Sequence, residues 1–340
     1  MKVGIYYSNQ DLRIEEKPIP KIGENELLVR IRASGICGSD TMEWYRKNRV
    51  PLVLGHEIGG EIAEVGKAVK GYKKGQRITA AHHVRCNKCH FCKMHHETTC
   101  ETLRKTNFDP GGFAEYIRLA PINVKTGVFL LPKNVSYQEA TFVEPLACIL
   151  RGQRMANMQK GKSVLIIGSG ITGLLHIKLA KLYGASFIAA TDITEYRLKA
   201  AKTRGANFVV NAKDYTPEDF KKLNKGLLAD LVIVSSGATS AINQAIQSVE
   251  RGGTILFFAP TNQNADILLP FNKLFWRNEI TLTSSYAGSP DDHKKALKLI
   301  ASKKISVKDL ITHRLPLDRI GEGFKLVTEA KDSLKVIIEM

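Results

Sequence analysis

Apolar and polar positions change rhythm along the chain. Up to about residue 145 the text is short β-prone runs broken by glycines. ELLVRIRASGICG predicts a strand entering a tight turn, and GGEIAEVG a strand between turns. From about 147 to 284 the apolar runs lengthen. SVLIIGSGITGLLHIKLAKLYGA predicts a buried strand, a Gly-rich turn and a helix. FIAATD, NFVVNA, DLVIVSSG and GTILFFAP predict further buried strands, with helical segments such as SAINQAIQSVE between them. Strands that are apolar on both faces and alternate with helices imply an α/β doubly wound parallel sheet. From about 285 the chain holds a helix, DDHKKALKLIASKK, and returns to a strand at SLKVIIEM.

A length of 340 residues accommodates two domains with a sizeable core. The first residues lack the apolar stretch of a leader, and no run of eighteen apolar residues occurs, so a cytoplasmic protein without a membrane span is expected. The formal charge of +17 comes from lysines spread along the chain, which reads as a solvated surface with at most a pull on anionic substrates; no nucleic-acid partner is expected. Six cysteines in a chain of this size suggest metal binding rather than a disulfide scaffold.

The strongest chemical signal is Cys86-x2-Cys89-x2-Cys92-x7-Cys100. Four thiolates close a tetrahedral shell around Zn²⁺ and leave no position for water, so such a site is structural. An iron–sulfur cluster or reduced spectator thiols are the alternatives. The loop between these cysteines is polar and has little core, so metal binding would fold it. The second signal is Gly168-Ser169-Gly170-Ile171-Thr172-Gly173, between an apolar strand and a helix. Its glycines permit the turn, the approach of a pyrophosphate and close helix–strand packing. Asp192 follows nineteen residues after Gly173, where an acid accepts ribose hydroxyls and repels a 2′-phosphate. NAD is therefore expected rather than NADP, although Arg197 tolerates phosphate and Asp192 read alone is also a helix cap.

Cys37 in GICGSD, His56 and Glu57 in GHEIGG, and Glu144 in FVEPLA each have a bland reading singly. Together they are the ligand types of an open catalytic zinc site. These motifs, with the cysteine loop, GGFAEY, VEPLAC, GSGITG, ITHRLPL and LKVIIEM, occur in the order found in the zinc-containing medium-chain alcohol dehydrogenase superfamily, which the chain resembles over essentially its whole length. Glutamate in VEPLAC makes it similar to the polyol (sorbitol or L-iditol) and threonine dehydrogenase branch. The resemblance implies a GroES-like β-rich catalytic domain of residues 1–146 completed by 285–340, a Rossmann NAD-binding domain of 147–284, and an active site in the cleft between them. It also implies a homotetramer or homodimer, one structural and one catalytic zinc per chain, and Cys37, His56, Glu57 and Glu144 as direct or water-bridged ligands. Zinc would act as a Lewis acid on a secondary alcohol, with hydride passing to NAD.

Ser39 matches the family's hydroxyl that relays the alcohol proton. Where many members have the outer histidine of that relay, this chain has Met42, so the proton would leave through the cofactor ribose and water or through Glu57. Ser236, Ala259 and Ser284, near strand ends, complete the expected cofactor contacts, with Lys335 as a pyrophosphate contact or a surface lysine. Trp44 and Tyr286 are candidate walls of the substrate site, but the arginine that sorbitol dehydrogenases place beside such a tyrosine is missing. His82 and His83, Asn107 and Asp109, and Cys148 read chiefly as structural. L-Threonine 3-dehydrogenase, a sugar-phosphate alcohol dehydrogenase and a non-catalytic NAD-binding protein on the same fold are the competing readings.

Overall fold

The computed structural model describes residues 1–340. The chain divides into two units, Met1–Cys148 with Ala287–Met340, and Ile149–Tyr286. The first division falls inside one helix, Val143–Met155.

The first unit is β-rich. Its larger sheet runs Ile311–Pro316, Lys335–Glu339, Leu27–Gly35, Glu57–Val65, Arg77–Ala80 and Val128–Leu130, with Tyr116–Leu119 also paired to Leu27–Gly35. A smaller sheet joins Asp11–Glu16, Lys2–Ser8 and Leu52–Val53. Leu27, Val29 and Ile31 point alternate apolar side chains into a core shared with Ile58, Ile62, Ile78, Ile117 and Leu119. The antiparallel register sets Gly35 opposite Glu57 on one side and opposite Ile337 on the other. Two residues that lie far apart in sequence, Glu57 and Lys335, are thereby brought to one glycine.

The second unit is a six-stranded sheet in which every adjacent pair is parallel. Across the sheet the order is Phe208–Asn211, Phe187–Asp192, Ser163–Ile167, Ala229–Val234, Val249–Phe257 and Thr281–Ser284. The order reverses beside Ser163–Ile167, and such a switch point leaves a crevice at the carboxyl ends of the strands. Leu165, Ile167, Val232, Val234 and Ile255 pack with the helix Thr239–Ser248 in its core. No helix of the protein is long and apolar enough to cross a membrane.

Candidate metal centres and dinucleotide site

The Sγ atoms of Cys86, Cys89, Cys92 and Cys100 lie within 4.8 Å of one another. Cys86–Cys92 is 4.0 Å, Cys89–Cys92 3.6 Å and Cys100–Cys86 3.6 Å. A tetrahedron of sulfurs about 2.3 Å from zinc has edges of about 3.8 Å, so the four thiols fit that ion. Phe91 and Met94 in this loop are exposed, and the loop has little packing of its own. Arg85, adjoining Cys86, ties it down through Glu97 at 2.9 Å and Asp291 at 2.7 Å.

A second set lies in the same unit. Ligand atoms of Cys37, His56 and Glu57 fall within 4.8 Å of one another. Cys37 ends the strand-to-turn passage after Leu27–Gly35, and His56 immediately precedes Glu57–Val65, so adjacent strands present them together. Asp40, fully buried, organises both: its Oδ2 accepts from the Cys37 backbone N–H at 3.0 Å, and its Oδ1 lies 3.4 Å from His56 Nδ1. Burial opposes a charge on His56, but Asp40 and then Cys37 outweigh it and hold the imidazole well above its ordinary range. A thiol, an imidazole and a carboxylate with no fourth protein atom in the cluster suit an open zinc site. The sequence carries Asp40 inside GICGSD, immediately after Ser39, but its role is visible only in these contacts.

The remaining expected residues divide. Ser39 Oγ donates to Cys37 Sγ at 3.4 Å. Glu144 is not brought into the three-atom set; its Oε1 accepts from the Cys148 thiol, one helical turn on, at 3.4 Å, and burial raises its carboxyl above the usual range. Cys148 thus faces Glu144 rather than serving only as core filling. The reading of Lys335 as a surface lysine is corrected: it is 1% exposed and its Nζ pairs with Glu57 and donates to the Ile36 carbonyl at 3.2 Å. A buried carboxylate requires such a partner, and that use commits Nζ to the protein rather than leaving it free for a pyrophosphate. A Cβ on Gly35 would collide with both side chains, so the pair exists because that residue is glycine. Trp44 is half-buried against Tyr45, while Tyr286 is 50% exposed. Asp109 forms an isolated antiparallel bridge with Arg118 and pairs with its side chain at 2.8 Å.

In the second unit Gly168 has φ +94° and Gly170 begins the helix Ile171–Leu182 without a side-chain cap. Ile171 and Thr172 therefore open the helix with uncapped N–H groups, an end suited to anions. A Cβ on Gly173 would run into the Gly168 carbonyl, whereas one on Gly170 would meet nothing nearer than Arg197 at 3.9 Å. The open space above Gly170 is the cradle a pyrophosphate needs. Asp192 ends its strand with Oδ2 accepting from Ser169 N–H at 2.8 Å and Oδ1 from Thr194 N–H at 2.9 Å. Thr194 holds the N-cap position of the next helix, without a side-chain cap, so Asp192 is not its N-cap. Arg197 stands 4.0 Å from Asp192. Ser236 and Ala259 follow the strands Ala229–Val234 and Val249–Phe257, and Ser284 ends Thr281–Ser284, all at the carboxyl edge.

A closed four-thiol site, an open Cys–His–Glu site and a parallel sheet with a phosphate cradle define a zinc-dependent dehydrogenase. Residues 23–127 match the alcohol dehydrogenase GroES-like domain and residues 172–302 the zinc-binding dehydrogenase family. Sorbitol dehydrogenase of Bacillus subtilis (strain 168) is 30% identical, over 99% of this chain and 97% of its own length. Galactitol-1-phosphate dehydrogenase from Escherichia coli superposes with a TM-score of 0.88 at 26% identity, covering 100% of both chains. A zinc-binding dehydrogenase from Sinorhizobium meliloti 1021 bound to NADP gives 0.88 at 26% identity, over 100% of this chain and 99% of that one. The chain belongs to the zinc-containing medium-chain alcohol and polyol dehydrogenase family.

Proposed function

We propose that the protein oxidises a secondary alcohol (a polyol, sugar derivative or amino alcohol) with NAD⁺ as acceptor. The observation that carries this reading is the open set Cys37, His56 and Glu57 beside the closed cysteine loop. Cys37 and His56 would hold the catalytic zinc, with Glu57 or Glu144 as a third, direct or water-bridged ligand. When bound, zinc supplies Lewis acidity toward the substrate hydroxyl, and the nicotinamide accepts hydride. Ser39 Oγ would hold the departing proton, exchanging its bond to Cys37 for one to the substrate. Asp192 would favour NAD over NADP, because an acid at the end of this strand accepts ribose hydroxyls and repels a 2′-phosphate. Arg197 beside it is already engaged by that acid.

Residues 1–146 with 285–340 would be the catalytic part and 147–284 the cofactor-binding part. Free thiols at a zinc loop suit a reducing cytoplasm. Leu268, Phe271 and Trp276, 96%, 69% and 70% exposed, support a homotetramer or homodimer. A panel of polyols, threonine and sugar phosphates, followed by NADH and NADPH formation, tests the reading. Turnover of none of them, or a preference for NADP, overturns it. For the relay, Ser39→Ala is expected to lower kcat at least tenfold and move the pH–rate profile; a parental profile and kcat would remove Ser39 from the mechanism.

A further inference from the structure

The strand Arg77–Ala80 runs into Ala81, His82 and His83, just before Arg85 and the cysteine loop. His82 is 8% exposed, and its ring lies 4.9 Å from that of His56, centroid to centroid. It also packs on His83 at 3.8 Å and Phe108 at 6.0 Å. His83 has a structural tie, since its Nδ1 bonds to the Thr106 carbonyl at 2.7 Å. His82 has no such tie: its Nδ1 is sealed from solvent without a hydrogen-bond partner. Burying a polar atom unpaired is unfavourable, and an apolar ring in the same place would avoid the cost. An imidazole there calls for a ligand group that can donate or accept. A hydroxyl does both.

We propose that His82 is a specificity-determining residue. It hydrogen-bonds the hydroxyl on the carbon next to the one oxidised, and so selects vicinal diols and polyols over simple alcohols. The inference rests on the reading that Cys37, His56 and Glu57 mark the reacting centre. A ring packed directly on His56 then reaches the substituent nearest that centre, not the far end of the substrate. The selection follows from hydrogen-bond pairing: a site built to bond a hydroxyl discriminates strongly against an analogue lacking it.

The matched probes are 2,3-butanediol and 2-butanol, which share the reacting carbon and differ in the neighbouring hydroxyl. In the parent, kcat/KM is expected to favour the diol by at least about tenfold. His82→Phe, which keeps an aromatic ring, is expected to lower that ratio about tenfold or more, largely through KM for the diol. His82→Asn, which retains a donor and an acceptor, is expected to restore part of the ratio. An equal loss on both probes in His82→Phe, or no preference in the parent, overturns the proposal. Calorimetric titration of the zinc-loaded proteins with 2,3-butanediol separates this from the proposed activity. Binding weakened about tenfold in His82→Phe, with no alcohol of the panel turned over by the parent, keeps His82 as a diol-binding residue and sinks the dehydrogenase reading. Equal binding by parent and variant sinks the inference.

Discussion

Asp40 shows how much of a metal centre rests on a residue that touches no metal. It fixes the Cys37 backbone and faces His56 Nδ1, leaving the other imidazole nitrogen for an ion. Partners of this kind usually carry about 10–100-fold in metal affinity. Asp40→Asn is therefore expected to lower catalytic-zinc affinity by that order, read by chelator competition, while the cysteine loop keeps its ion. Unchanged affinity would make Asp40 a bystander. His176, in the other unit, makes a pH prediction. It is fully buried, and burial pushes its imidazole down to about 3 from an ordinary 6.5. Between those values the unfolded chain binds the extra proton, so stability is lost as pH falls below 6.5. The loss by pH 5 is about 2 kcal/mol. Chemical denaturation from pH 7.5 to 5 checks it: His176→Asn should show a shallower decline, and a slope equal to the parent's would refute the assignment.

The strand, turn and helix around Gly168–Gly173 separate two uses of glycine that the motif alone does not. Gly173 is needed for the protein to pack, because any Cβ meets the Gly168 carbonyl. Gly170 is needed for a ligand, because a Cβ there meets almost nothing of the protein. Gly173→Ala should thus cost about 1–3 kcal/mol of stability. Gly170→Ala should melt within a degree or two of the parent yet bind NADH at least tenfold more weakly, as measured by NADH fluorescence. Similar melting losses in both variants would contradict this division. The parallel sheet was legible because its strands are locally apolar and each motif sits at a strand end. The Glu57–Lys335 pair was not, since its partners are joined by antiparallel register and by the absence of a side chain at Gly35. Cys37, His56 and Glu57 were legible as residue types, whereas the withdrawal of Glu144 toward Cys148 depends on rotamers that no spacing encodes.

At the scale of the whole molecule, the two metal sites have different structural duties although they share a unit. The cysteine loop exposes Phe91 and Met94 and has mainly sulfur at its centre, so its order depends on its ion. The Cys37, His56 and Glu57 set stands at the ends of strands with an apolar core of Leu27, Val29, Ile31, Ile58 and Ile62 behind them, so their order does not depend on an ion. It is also the open site, with fewer protein atoms to hold an ion. Graded chelation should therefore remove zinc in two stages. The first ion lost should abolish dehydrogenase activity with little change in Tm or circular dichroism, and re-addition of zinc should restore it. The second should lower Tm by several degrees and expose residues 86–100 to protease. Metal analysis, activity and melting followed on the same samples test this order. A fall in Tm that tracks the first ion, or activity that survives its loss, would show that the open set is not the catalytic centre.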